Sequence, residues 1–288
     1  MSKNPYPPEL PLPLIKKAVK SALLEDLGLA GDITSQATLP QGAKAKASFI
    51  SRENGIVAGI ELAKQAFSQI DKNIKFKALL KDGDKVKAKQ TIATISGNAR
   101  AILSSERVAL NYLCHLSGIA SYSAQFVSKL KGTNAKITDT RKTTPNMRAF
   151  EKFAVKCGGG SNHRFGLDDA ILIKDNHIAV AGSITKALKA TQNFAGHLMA
   201  VEIEVDNLEQ LKEALEAGAK IVLLDNMDNE TLKKAVEINK GRAVLEASGN
   251  VTLERAAGIA KTGVNYISTS KITMASTPLD IGLDIDIS

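Results

Sequence analysis

Tryptophan is absent, aromatic residues make up 4% of the chain, and only two cysteines occur among 288 residues. Each scarcity closes off a class of function. Cys114 and Cys157 cannot build a disulfide framework, and both read as buried thiols in a reducing cytosol. No run of 18 apolar residues is present, so no transmembrane helix is expected. The opening "MSKNPYPPELPLPLIKK" lacks an apolar h-region, so no secretory signal is expected and the protein is placed in the cytoplasm. No base-stacking motif accompanies the net charge of +8. The lysines are dispersed, as in "KAKAS" and "KFKALLKDGDKVKAK", which argues against nucleic acid and for an enzyme with anionic substrates, drawn in by a positive field.

What is there is ordinary globular material, 44% hydrophobic and 24% charged, long enough for one large domain or two ordinary ones. Pro5 to Pro13 reads as an ordered arm or a frayed terminus. "LPLIKKAVKSALLEDLG" has helical spacing with Gly28 just past its end. "GDITSQATLP" reads as a turn, "KAKASFISRENGIVAG" as strand and turn, and "IELAKQAFSQI" as a helix. Short strands are expected around "KDGD". The long apolar helix "SSERVALNYLCHLSGIASYSAQFVSKL" is expected to break near Gly118.

From Ala135 the rhythm changes. Six apolar β runs ("AKITDTR", "AILIKDNH", "AVEIEVD", "AKIVLLDNM", "AVLEASGN" and "NYISTSKI") end on polar residues, with helical patterns between most of them. Such alternation implies a parallel sheet with helical crossovers. Ligands of β/α barrels and of open doubly wound sheets lie at the C-terminal strand ends. No GxGxxG follows the first strand, so a dinucleotide site is not supported.

The strand ends change character in order. Asp139, Thr140, Arg141, Lys142 and Lys174 come early, then Glu204, Asp225 and Asn226, then Glu246 with Ser248, Gly249 and Asn250, and last Ser268 to Lys271. Singly, Arg141 and Lys142 could be a solvated loop pair, "SGN" a plain turn, and Gly158–Gly160 a hinge. Jointly, gathered at one barrel mouth, they suit a polyanion. Guanidinium groups pair with carboxylates in bidentate fashion. Two acidic strand ends suit ribose hydroxyls, Mg²⁺ or a developing positive carbon. Late Gly/Ser loops can cradle a phosphate through backbone N–H groups. Together these suggest transfer of a phosphorylated sugar.

The stretches "EDLGLAGDITS", "ERVALNYLCHLSGIAS", "DTRKTTPNMRAFEKFAVKCGGGSNHRFGLDDAILIKDNH", "VEIEVDNLEQLKEALEAGAKIVLLDN", "LEASGN" and "GVNYIS" resemble the quinolinate phosphoribosyltransferase family from about residue 20 to 275. The resemblance implies an N-terminal α/β sandwich domain (1–115, with the tail 275–288 returning to it) and a C-terminal incomplete, open β/α barrel (116–274) that carries the site. It also implies a homodimer, Mg²⁺, and quinolinate and phosphoribosyl pyrophosphate as substrates, with no nucleic acid or membrane partner. By that resemblance Arg107, Arg141, His163, Arg164 and Lys174 are quinolinate-binding cations, with Arg107 reaching in from the neighbouring subunit and Thr140 part of the same substrate-binding turn. Lys142 stands near the leaving pyrophosphate. Glu204 and Asp225 face ribose and, through water, Mg²⁺. Ser248, Gly249, Asn250, Ser268, Thr269 and Ser270 form the phosphate loops. Asn146 stands at a usual Gly. "STSKITM" replaces a pattern like "SVGALTH", so Ser270 stands at a usual Gly and Met274 at a usual His or Lys. A molybdate-transport-associated relative of the same fold shares parts of these motifs, and the complete cation set favours the enzyme.

Overall fold

The structure is a computed structural model and describes residues 8–286, so Pro5 and Pro7 of the proline-rich opening lie outside the described residues. In chain order the elements begin with α1 (Leu12–Leu27), α2 (Ile33–Thr38), β1 (Lys44–Ser51), β2 (Gly55–Ile56), α3 (Ile60–Ile70), β3 (Lys75–Ala78), β4 (Lys85–Val86), β5 (Thr91–Asn98) and α4 (Ala99–Lys129). Next come β6 (Lys136–Thr138), α5 (Arg148–Cys157), β7 (Ile171–Ile173), α6 (Asp175–Ala181), α7 (Ile184–Phe194), β8 (Val201–Val205), α8 (Leu208–Glu216), β9 (Ile221–Asp225) and α9 (Asn229–Asn239). The chain ends with β10 (Val244–Ser248), α10 (Leu253–Ala260), β11 (Tyr266–Ser268), α11 (Lys271–Met274) and β12 (Ile281–Asp286). No helix among the described residues is long and apolar enough to cross a membrane.

The chain divides into two compact units. One takes the chain up to Ala124, then Ala149–Gly159 and the stretch from Ser276 on; the other takes Gln125–Arg148 and Gly160–Ala275. The sequence reading instead drew single cuts at 115/116 and 274/275. In the first unit an antiparallel sheet has the order β12-β1-β5-β3, and β12 pairs with β1 from Lys46↔Asp286 to Ser51↔Ile281. Its core includes Phe49 and Phe67, on which half-buried Phe76 packs, with ring centroids 5.9–6.4 Å apart. Helix α5 belongs here because its apolar side packs on α4. Phe150 lies edge-on to Tyr112 at 6.1 Å, and a Cβ at Gly158 would meet Ala120 O at 2.2 Å. That close approach gives the first glycine of the triplet a packing role rather than that of a hinge.

Two local expectations are corrected. "GDITSQATLP" contains a helix, α2, because Asp32 caps it by accepting from the Ser35 N–H at 2.9 Å. Helix α4 runs unbroken through Gly118, where a Cβ would lie 2.2 Å from Thr277 O. Glycine there makes room for the returning tail and does not end the helix.

The second unit is an open β/α barrel. Its six parallel strands have the order β6-β11-β10-β9-β8-β7, so the sheet is not closed by a ladder between β6 and β7. Helices α7 to α10 follow the βα rhythm with polar caps: Ser183, Asn207, Asp228 and Thr252 each accept an N–H three residues on. The strands bury Val222, Leu224, Leu245 and Ile267 almost fully, which fixes their register and aligns their C-terminal ends.

Candidate active site

The C-terminal ends of the barrel strands surround a cavity of about 720 Å³. Thr140, Arg141, Lys142, His163, Arg164 and Lys174 line it, as do Glu204 and Asp225, and so do Ser248 to Asn250 and Ser268 to Ser270. Arg107 is not among the lining residues; it is an exposed residue of α4 in the first unit. A larger groove of about 940 Å³ runs along α1 and α3, lined by leucines and lysines, and brings no comparable set of opposed charges together.

The cationic side is built by two loops. Asp139, fully buried at the end of β6, accepts from the His163 N–H (2.9 Å) and from Asn162 Nδ2 (2.6 Å), so one carboxylate anchors the second loop to the first. Arg148 ties the same loops again. Its guanidinium donates to Thr143 Oγ1 (3.0 Å), to the Phe165 carbonyl (3.1 Å) and to the Arg141 carbonyl (3.3 Å). Sequence reasoning passed over Arg148; its place in the run "TTPNMR" gave no sign that it braces backbone. Asn146, at a usual Gly, has φ 64°, a left-handed conformation that Asn tolerates better than most residues. Burial first, and then the Arg141 guanidinium, push Arg164 below its ordinary value. The Nε atoms of Arg141 and Arg164 are both buried without a hydrogen-bond partner. Such donors are costly unless an anion meets them.

His163 and Glu204 depart from their expected parts. His163 Nδ1 accepts the Arg164 N–H at 2.8 Å, so its proton is on Nε2, which faces Glu202 at 3.0 Å. Its Nε2 is thereby aimed at a carboxylate of the barrel wall. Glu204, expected to face ribose and Mg²⁺, instead holds one of the cations, because Lys174 Nζ donates to its Oε2 at 2.8 Å. Sequence spacing cannot show that β7 and β8 are neighbours, and that adjacency brings the two together.

The opposite side is braced by Asn226, which sequence reasoning noted only as a strand end. Its amide donates to Asp225 Oδ2 (2.6 Å) and its Oδ1 accepts from Asn250 Nδ2 (3.2 Å). A Cβ at Gly249 would come 2.2 Å from Asn226 Oδ1, so only glycine lets the β10 loop close over this amide. Glu204 and Asp225 together offer an all-oxygen donor set suited to a hard cation such as Mg²⁺, with one oxygen of each outside the pairings just described.

The family described as quinolinate phosphoribosyl transferase matches this chain twice, with its N-terminal domain over residues 32–117 and its C-terminal domain over residues 119–284. The chain is similar to the probable nicotinate-nucleotide pyrophosphorylase [carboxylating] of Bacillus subtilis, with 43% identity covering 95% of this chain and 94% of that one. It is 42% identical to the Mycobacterium leprae protein of the same name without "probable", covering 94% and 96%. Among solved structures, NadC of Streptococcus pyogenes superposes with a TM-score of 0.94 at 38% identity over 98% of this chain and 99% of that one. An open barrel with this site therefore defines a phosphoribosyltransferase. The chain belongs to the quinolinate phosphoribosyl transferase family.

Proposed function

We propose that this protein joins quinolinate to phosphoribosyl pyrophosphate and releases CO₂, giving nicotinate mononucleotide and pyrophosphate for NAD biosynthesis. The observation that carries the reading is the cavity itself: two arginines whose Nε donors are buried without a partner share one lining with carboxylates and a glycine-tight loop. Arg141, Arg164 and Lys174 offset the charge of the pyridine dicarboxylate. A substrate carboxylate competes with Glu204 for Lys174, and its arrival frees Glu204 to face the ribose. The pyridine nitrogen attacks the anomeric carbon and the bond to pyrophosphate breaks. Positive charge develops at that carbon, where Glu204 and Asp225 stabilise it. Lys142 meets the leaving pyrophosphate, and backbone N–H groups at Ser248–Asn250 and Ser268–Ser270 hold the remaining phosphate. Mg²⁺, held by Glu204 and Asp225 through water, would supply charge neutralisation at the pyrophosphate. The positive charge of the nitrogen, once quaternised, stabilises the electron pair that CO₂ loss leaves on the neighbouring ring carbon, so transfer precedes decarboxylation.

The proposal extends to a cytoplasmic homodimer in which Arg107 of one subunit completes the quinolinate site of the other. The exposure of Arg107 on α4 supports that reading, because an exposed guanidinium is available to a second copy. The test of the activity is direct. Purified protein with quinolinate, phosphoribosyl pyrophosphate and Mg²⁺ is expected to form nicotinate mononucleotide and CO₂ in equal amounts. Absence of product would sink the reading.

A further inference from the structure

One acid–base group on the cavity wall has no part in the steps above. Glu246, on β10, is 6% exposed and lines the cavity. Its Oε1 is buried without a hydrogen-bond partner. The groups that act on it are Glu202 on β8, His163 from the loop ahead of β7, Ser268 on β11 and Asp139 just past β6, while neighbouring β9 pairs the apolar Leu223 with it. Burial first, and the negative charge of Glu202 second, push its carboxyl up to about 7, against the opposing pull of His163 and Ser268.

His163, Glu202 and Glu246 lie close enough to suggest a metal centre, with one ligand atom of each within 4.8 Å of the others. The imidazole tautomer argues against it. Because Nδ1 accepts the Arg164 N–H, Nε2 carries a hydrogen and has no lone pair for a metal. That hydrogen is directed at Glu202, 3.0 Å away, rather than at Glu246, whose Oε1 stands 3.5 Å off. Glu246 thus receives no proton from His163, and in a low-dielectric wall beside a second carboxylate it is stabilised by carrying its own.

We propose that Glu246 is the general acid that protonates the pyridine ring carbon left behind by CO₂, an inference that rests on the activity proposed above. In this step the bond between the ring carbon and its carboxylate breaks, CO₂ departs, and the electron pair stays on the carbon beside the quaternised nitrogen. The Glu246 O–H bond then breaks as the new C–H bond forms. The carboxylate is reprotonated from water when product leaves, so no oxidant or reductant enters. The competing proton carriers on the wall are the ammonium groups of Lys142, Lys174 and Lys271 and the Nε2–H of His163. Any of the lysines, on giving up its proton, would lose the charge that holds the anions, and the His163 hydrogen is directed at Glu202. A carboxylic acid gives up its proton without dissolving the cation cluster, and β10 lies beside β9, the strand that carries Asp225, in the wall that Arg141 and Arg164 also line.

The experiment compares wild type, Glu246→Gln and Glu246→Asp in single turnovers across pH 5.5 to 9, with quinolinate affinity measured separately by calorimetry. Wild-type rates are expected to fall towards tenfold per pH unit above the value at which Glu246 loses its proton. Glu246→Gln is expected to be slower at pH 7 by about 10²-fold or more, to lose that basic limb, and to bind quinolinate within threefold of wild type. Should the Gln variant not fold, Glu246→Asp decides: it retains an acid, so the limb persists but moves. The proposal is overturned if Glu246→Gln turns over within threefold of wild type, if it keeps the limb, or if the limb is unmoved in Glu246→Asp. Failure of wild type to form any nicotinate mononucleotide would instead remove the underlying activity.

Discussion

Two histidines in this chain meet buried glutamates, and they do so in different ways. In the first unit His115 Nε2 lies 2.9 Å from Glu151 Oε1, and fully buried Glu151 has further partners. In the barrel His163 meets Glu202, a second glutamate stands beside it, and each glutamate keeps one buried oxygen without a hydrogen bond. Buried polar groups that are answered hold a fold, whereas those left over mark a place where something else is to come. The leftovers in the barrel are of two kinds. Unpartnered donors, Arg141 Nε and Arg164 Nε, ask for an anion, and unpartnered acceptors on adjacent carboxylates ask for a proton. The first unit shows how a His–Glu pair looks when it is purely structural.

Predictions can break that comparison, the largest first. Arg107→Ala and Lys142→Ala homodimers should both be nearly inactive, while co-expression should restore about a quarter of wild-type activity, since half of randomly formed dimers hold one intact site. No recovery, with heterodimers confirmed by mass, would show that Arg107 does not serve a neighbour. Arg141→Ala should weaken quinolinate binding about thirtyfold to a thousandfold, or roughly 2–4 kcal/mol, because it removes a desolvated cation from a charged ligand. By contrast His115→Ala should lower the melting temperature and leave quinolinate affinity within twofold. If the two variants exchange these phenotypes in calorimetry and thermal melts, the structural and functional pairs have been misassigned. Glu204→Ala should reduce kcat about 10²-fold or more yet tighten quinolinate binding a few-fold, because Lys174 loses its competing carboxylate. A loss of affinity in step with kcat would end that idea.

A smaller effect concerns pH. The folded-state value of Glu246 is raised, so the stability its protonated form contributes is complete below its ordinary value of 4.5 and is lost as pH rises through about 7. Wild type should therefore lose stability relative to Glu246→Gln between pH 5 and pH 8, by up to about 3 kcal/mol. Denaturation midpoints of the two proteins at both pH values provide the measurement, and parallel curves for wild type and Glu246→Gln would mean that Glu246 titrates normally.

Periodicity carried the helices of both units: "NETLKKAVEIN" in the barrel and "IELAKQAFSQI" in the first unit fold over the residues their spacing marks, as α9 and α3. The strand-end residues were legible for the same reason, since a βα repeat delivers every strand end to one face. Three things were not legible, each because it depends on contacts across the chain. Gly118 reads as a helix breaker until Thr277 arrives beside it. The stretch "RAFEKFAVKC" sits between two barrel motifs, yet its helix packs against α4 through Phe150 and Tyr112. Glu246 reads as one more strand-end acid, because only the sheet order places it within reach of Glu202 and His163. Nor can spacing show that the Arg164 N–H occupies His163 Nδ1 and leaves Nε2 to face Glu202.

The smallest expected effect tests whether a departure in sequence is a departure in geometry. Ser270 stands at a usual Gly, which raised the prospect that the last phosphate loop is altered. In the structure Ser270 has φ −76° and ψ −14°, an ordinary right-handed conformation open to any residue, so glycine is not required there. Its carbonyl accepts from Thr273 N (3.2 Å), Met274 N (2.9 Å) and Thr273 Oγ1 (3.2 Å), starting the turn of α11 without its own hydroxyl. Met274, at the other departure, is 60% exposed and bears no load in packing. If the loop holds phosphate through N–H groups, Ser270→Gly leaves those donors in place and costs only chain entropy, on the order of 0.5–1 kcal/mol of stability. The KM for phosphoribosyl pyrophosphate should then change less than about threefold. A change beyond tenfold, about 1.4 kcal/mol, would make the Ser270 hydroxyl a ligand in its own right and put the phosphate on the side chain rather than the backbone.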